Sequence, residues 1–286
     1  MTNIFRFLTA GMLTVACCQT AFGQDGRLIA DGNSDATYRL IRASGYNHEA
    51  PDSSRSHASK HFQHITQTMD KELGKPVFVF HIHANIDDDR GKADITDRQR
   101  NEIKTDGKSP RNMVGQEGET LTMRWKFKLP KGFTTTKKFS HIHQLKGIDN
   151  KQGTAAVGAP LITLTCYSKG NKGMQVLRLR YDNRNADGSV TLAETDLAPL
   201  LGQWVEVEET ATFGEKGSYS VVIRKVKGGE ELFSYRNDNL DMWRTGCTGI
   251  RPKWGIYRYL GNNREWASQL RDEQLLFADF SIEKKQ

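Results

Sequence analysis

The chain has 286 residues, 37% of them hydrophobic, and 41 Lys and Arg against 34 Asp and Glu give a formal net charge of +7. Past the first residues no stretch is apolar enough for a membrane-spanning helix, which needs roughly 20 such residues. The basic surplus is modest and spread along the chain, which favours an anionic polymer over a nucleic acid as partner.

Residues 1–23 carry Arg6, then an apolar stretch, then Ala21-Phe22-Gly23 ahead of Gln24. This is the pattern of a secretory signal peptide cut near Gly23, so a periplasmic or secreted protein is expected. Ala16-Cys17 also resembles a lipid-attachment site, which leaves an N-terminal anchor open. Residues 24–61 are polar and irregular and read as a surface arm. His57, His61 and His64 have helical spacing there, but no apolar face supports a helix.

From residue 62 to 286 the texture is short period-two runs between Gly, Asn, Asp and Lys turns. PVFVFHIHA, TLTMRWKFKLP, FSHIHQLKG, LITLTCYS, MQVLRLRYDN, QWVEVEETATF, YSVVIRKV, KWGIYRYL and LLFADFSIEK all read as strands. TDLAPLLGQ allows a helical turn or two at most. Residues 201–235 read as a three-strand meander with Trp204, Val205 and Val207 as its apolar surface. Many strands and no long helix predict one all-β domain, a β-jelly roll of two antiparallel sheets. An oxidising compartment permits a disulfide between Cys166 and Cys247.

Three stretches gather polar side chains on one strand face. In DRQRNEIKT, alternation sends Arg98, Arg100, Glu102 and Lys104 to one side. Unpaired, they are too costly to bury, so this face meets solvent or lines a groove. In FSHIHQLKG, His141 and His143 share a face opposite Ile142. In RPKWGIYRYL, Lys253, Gly255, Tyr257 and Tyr259 share a face opposite Trp254, Ile256 and Arg258. The glycine leaves room for a close approach to the sheet. If the three strands are neighbours, the groove holds what β-elimination across a uronic-acid linkage requires. A cation neutralises the carboxylate so that charge developing at C5 is stabilised. A base of ordinary pKa near 6.5, such as His, takes the C5 proton. An acid such as Tyr, tuned by a neighbouring cation such as Lys253, protonates the leaving oxygen.

Arg100-Asn101-Glu102-Ile103-Lys104, His141-Ile142-His143 and Lys253-Trp254-Gly255-Ile256-Tyr257 occur in that order along the chain. They resemble the Arg-x-Glu-Leu-Arg, Gln-Ile-His and Tyr-x-Lys-x-Gly-x-Tyr strands of jelly-roll alginate lyases, and the third is also similar to heparin lyase I and its relatives. The resemblance implies Arg100 as carboxylate neutraliser and His143 as base or neutraliser. It implies Tyr257 as acid, alone or also as base, and His141 in place of the carboxylate-binding glutamine. Glu102 is expected to orient Arg100 and Lys104. His141 for Gln, Lys104 for Arg and Tyr259 after Arg258 depart from the pattern and leave the polymer open among glucuronan, alginate, glycosaminoglycans and ulvan. Further substrate contacts are expected from Lys253, Lys104, Glu102, Tyr259, the paired Arg178 and Arg180, and His83, which with His81 reads as a second wall.

No metal ligands and no cofactor are assigned, and a monomer is expected. Rival readings stay open. Two His-x-His pairs fit a cupin-like metalloprotein, but the Glu that pattern adds is missing after His143. The run Asp87-Asp88-Asp89 leaves a structural calcium open but reads as a solvated turn. A non-catalytic carbohydrate-binding jelly roll shares the fold. A glycoside hydrolase needs paired carboxylates on a strand, which Glu206 to Glu209 do not supply.

Overall fold

The computed structural model describes residues 25–53, 62–92, 94–170, 173–182 and 188–285. The leader-like segment 1–23, with Cys17, and His57 and His61 lie outside the described residues. In chain order the elements are β1 (Arg27–Leu28), α1 (Thr37–Ala43), β2 (Asn47–Glu49), β3 (Ile65–Asp70), β4 (Lys75–Ile82), β5 (Arg98–Lys104), β6 (Thr120–Lys128) and β7 (Ser140–Ile148). There follow β8 (Ile162–Lys169), β9 (Met174–Asp182), β10 (Ser189–Asp196), β11 (Val205–Thr212), β12 (Gly217–Lys225), β13 (Glu231–Leu240), β14 (Gly249–Tyr259) and β15 (Glu273–Lys284). TDLAPLLGQ contributes one 3-10 turn, Ala198–Leu200.

The strands form two sheets. One runs β13-β12-β11-β6-β15-β4-β3, with β1 added against β15, and the other runs β10-β9-β8-β7-β14-β5-β2. All these pairings are antiparallel. This is the jelly-roll sandwich that the period-two patterning implies. In β11, Val205, Val207 and Ala211 point inward while Glu206 and Glu208 point out, and β12 answers with Tyr219, Val221 and Ile223. β11, β12 and β13 pair in succession, as the meander requires. Trp125, Phe127, Trp254, Phe277 and Phe280 fill the space between the sheets. Each such side chain contributes about 1.5–3 kcal/mol on burial.

Residues 25–53 are not a surface arm. β1 extends the first sheet, β2 edges the second against β5, and Leu40 and Ile41 of α1 enter the core. Tyr46 packs 6.1 Å from Trp254. The apolar residues here stand singly among polar ones, so they make no periodic run, yet each plugs an end of the sandwich. Cys166 and Cys247 are free thiols, so the permitted disulfide is not formed.

Two register irregularities shape the face of the second sheet. Between His141 and His143, β7 carries one residue more than β8 opposite it. β14 in turn carries an extra residue against β7 between Trp254 and Tyr257. Gly255, at φ 141°, sits where a Cβ would lie 2.1 Å from the Asn101 carbonyl oxygen. The close approach that this glycine permits is therefore that of β5, not of a substrate.

Candidate active site

β5, β7 and β14 are neighbours, so the three polar strand faces do come together. On β5, Arg98, Arg100, Glu102 and Lys104 share the outer face. The bulge changes the reading of β7. It turns both Ile142 and His143 into the core and brings Gln144 outward, so the outward pair is His141 and Gln144. His143 lies between the sheets, fully buried. Its Nε2 is 2.8 Å from Glu209 of β11, its Nδ1 is 2.9 Å from the Lys253 carbonyl oxygen, and its ring is 4.5 Å from that of Trp125. It is thus separated from the outer face by the sheet itself, and the expectation that it shares a face with His141 fails.

Beneath the outer face lies an ionic floor. Lys253, almost fully buried, is 2.6 Å from both Glu49 and Glu102. Arg100 pairs with Glu49 at 3.2 Å, Asp89 at 2.8 Å and Glu102 at 3.0 Å. Lys104 pairs with Glu49 at 2.8 Å and not with Glu102. Glu102 also accepts a hydrogen bond from Gln144. Buried charges persist only when paired this fully. Two expectations change accordingly. Arg100 is committed to three carboxylates, and Lys253 is locked in the floor, leaving neither free to clasp a substrate carboxylate.

The cations beside Tyr257 are instead Arg98 and Arg100. Arg98 Nη1 donates to the Tyr257 hydroxyl at 2.9 Å, and the Arg100 guanidinium lies 3.7 Å from the Tyr257 ring centroid. Burial raises the phenol pKa, the two arginines oppose that, and the net direction is upward, so Tyr257 stays protonated at neutral pH. His141 faces it, with ring centroids 5.9 Å apart. His141 Nδ1 is 2.8 Å from Thr165 Oγ1, and Nε2 has no protein partner among the described residues. Burial, opposed by Glu102 and reinforced by Arg180, Arg100 and Lys253, pushes its pKa down to about 3. It is therefore a neutral imidazole.

Tyr257, His141 and Arg98 line a groove of about 240 Å³ with Phe139, Gln144, Lys146 and Arg180. Lys146 donates to the Gly158 carbonyl and Arg180 to Ser189, and neither pairs with a carboxylate among the described residues. Burial and the neighbouring cations Lys253, Arg100 and Arg251 lower Lys146 to about 8, and burial with Arg178 lowers Arg180. Both are cations that an incoming anion would relieve.

The remaining expected contacts divide. Tyr259 lies at the rim, 5.7 Å from Phe139. Arg178 is engaged by Glu194 at 2.9 Å and stacks on Tyr167. His83 belongs to the other sheet's end and lines a separate cleft with His81, so it is no wall of this groove. Asp87 and Asp89 are buried and bonded, not a solvated turn. No cluster of metal-binding side chains lies in the groove among the described residues; His64, His83 and Asp87 gather behind it.

Comparison with solved structures places this architecture. The chain superposes on the PL-14 alginate lyase of Aplysia kurodai with a TM-score of 0.58, 12% identity, 91% of this chain and 98% of that one covered. It superposes on family 7 alginate lyase A1-II', solved with substrate, at TM-score 0.52, 15% identity, covering 84% and 93%. The endo-β-1,4-glucuronan lyase of Trichoderma reesei gives 0.51, 13% identity, 83% and 94%. The fold is that of the jelly-roll polysaccharide lyases. No protein-family model and no curated protein matches the chain.

Within this lyase fold, sequence reasoning missed Gln144, Lys146, Glu49 and Glu209. Glu209 had a signal, since strict alternation with Val205, Val207 and Ala211 points it inward. Gln144 had none, because a bulge leaves no mark in the residue pattern. Glu49 was hidden in a segment without periodicity.

Proposed function

We propose that this protein is a polysaccharide lyase that cleaves an anionic, uronic-acid-containing polymer by β-elimination. One observation carries the reading: a protonated phenol, Tyr257, and a neutral imidazole, His141, face each other in a groove edged by Lys146 and Arg180, which have no carboxylate partner among the described residues. Lys146 and Arg180, with Gln144, neutralise the uronate carboxylate, which stabilises the charge that develops when the C5 proton leaves, while Arg98, itself paired with Asp97, holds the Tyr257 hydroxyl. His141 Nε2 takes that proton. The C5–H electron pair becomes the C4–C5 double bond, the C4–O4 bond breaks and Tyr257 protonates the departing oxygen; His141 then releases its proton to solvent and Tyr257 regains one from it. Burial keeps Tyr257 in its acid form, and its two arginine neighbours stabilise the phenolate once the proton is given. These side chains supply acid, base and charge neutralisation, and the reading needs no cofactor. It also takes residues 1–23 as an export signal, which suits an extracellular polymer.

The test is ultraviolet absorbance of the conjugated unsaturated uronate on glucuronan, alginate, glycosaminoglycans and ulvan. One polymer is expected to give a rise that Tyr257→Phe and His141→Asn each cut by about 10²–10⁴-fold while the proteins stay folded. Binding of a polymer without any rise would replace the lyase with a carbohydrate-binding module. Full activity in both variants would refute the acid and base assignments.

A further inference from the structure

Behind the groove, at the end of β4, three side chains from two segments converge: His64 ahead of β3, and His83 and Asp87 in the loop after β4. His64 Nε2 lies 3.0 Å from Asp87 Oδ1, and His83 Nδ1 lies 3.1 Å from Asp87 Oδ2. The ligand atoms of the three all lie within 4.8 Å of one another. We propose that His64, His83 and Asp87 bind a divalent transition-metal ion of the zinc class, which fastens the loop after β4 to the back of the groove.

The donor set and its spacing fit that class. Tetrahedral zinc with ligands at about 2.0–2.1 Å sets neighbouring ligand atoms about 3.3 Å apart, and the two histidine–Asp87 contacts, one to each carboxylate oxygen, are 3.0 and 3.1 Å. Two imidazoles and one carboxylate suit zinc, cobalt or nickel, whereas calcium requires six or more oxygens. The surroundings are built as they are around metal-binding histidines. His64 Nδ1 is 2.9 Å from Asp52 Oδ1 and 2.9 Å from the Phe62 carbonyl oxygen, which commits that nitrogen and aims Nε2 at Asp87. Asp52 is held in turn by the Tyr38 hydroxyl at 2.8 Å. A carboxylate behind a ligating histidine fixes its tautomer and raises its basicity. The Phe62 ring stands edge-on to His64 at 4.7 Å and His83 at 5.1 Å, an apolar cover on one side.

Asp87 is fully buried, and Arg264 donates to the Asp87 and Ala84 main-chain carbonyls. His83 is the member that reaches the surface, and it lines a cleft of about 420 Å³. The loop itself is rigidly braced, since Gln99 donates to the carbonyls of His83, Ala84 and Asp87. It leads straight to the ionic floor: the Arg100 amide donates to the Asp88 carbonyl at 3.1 Å, and Arg100 Nε to Asp89 at 2.8 Å. A metal on Asp87 thus stiffens the support of the arginine beneath Tyr257.

The experiment uses the purified protein, stripped with chelator and dialysed, and titrated with zinc chloride by calorimetry. One equivalent is expected to bind with micromolar or tighter affinity and to raise Tm. Cobalt(II) is expected to give the visible spectrum of a nitrogen- and oxygen-ligated tetrahedral ion, and calcium to give neither effect. His83→Ala, at the most accessible ligand, leaves the fold intact and is expected to weaken zinc by at least about tenfold and abolish the Tm rise. Absence of equimolar zinc binding would overturn the proposal, leaving a histidine–carboxylate cluster that holds itself together. Unchanged zinc affinity in His83→Ala would also overturn it, because the ion would then sit elsewhere.

Discussion

Glu49 offers the sharpest test of how the groove is held. It comes from β2, outside the main run of strands, yet it contacts Lys253 at 2.6 Å, Lys104 at 2.8 Å, Arg100 at 3.2 Å and Arg90 at 3.4 Å. The floor sets four cations against three carboxylates, Glu49, Asp89 and Glu102. Glu49→Ala leaves four against two, with Lys253 buried and, among the described residues, dependent on Glu102 alone. Breaking a buried pair by removing one partner costs about 3–5 kcal/mol, because the surviving charge stays out of water. For a domain of this size about 2–4 °C of Tm goes with each kcal/mol, so Tm should fall by about 6–20 °C. The assay is thermal and urea unfolding at neutral pH, with Asp25→Ala as control. Asp25 meets Arg27 at 3.8 Å with both side chains exposed, a pair expected to contribute little. Among the described residues Lys104 has no carboxylate partner but Glu49, so Glu49→Ala with Lys104→Met should lose less than the sum of the single changes. The effect should also fade in acid. Burial alone would raise the Glu49 pKa, but Lys253, Arg100 and Lys104 hold it well below its ordinary value of 4.5. Its contribution is therefore complete above about 4.5 and is lost as pH falls below that, toward the folded-state pKa. A Glu49→Ala protein as stable as the Asp25→Ala control would refute the reasoning.

Two further outcomes follow from the same geometry. His143→Ala should destabilise by about 3–5 kcal/mol, since it strips Glu209 of its histidine partner inside the core and leaves a cavity. His143→Leu combined with Glu209→Leu should recover most of that loss and keep the rate on the polymer; loss of activity in a stable double variant would return His143 to a catalytic role. His141 is held neutral down to about 3, against an ordinary value of 6.5. Its depressed pKa contributes stability in full above 6.5, lost as pH falls through the interval toward 3. The Tm advantage of wild type over His141→Gln should therefore shrink between neutrality and pH about 4, and an advantage constant across that range would contradict the burial of a neutral ring.

The sequence alone determined the layers and much of one face. Period-two runs in β6, β8, β9, β11 and β12 required a two-sheet sandwich, because each has one apolar side and must hide it. The same alternation put Arg98, Arg100, Glu102 and Lys104 together on β5, and Tyr257 with Lys253 on β14. What alternation cannot carry is a bulge. One extra residue in β7 sent His143 to Glu209 inside the sandwich and brought Gln144 to the face where a second histidine was expected. Nor does the chain reveal which charges neutralise one another. Arg100 and Lys253 look like free cations until Glu49 and Asp89, from segments without periodicity, close on them. Local sequence specifies which side of a strand a residue faces; only tertiary packing decides whether a charge on that side is already paired and buried or remains free to meet an anion.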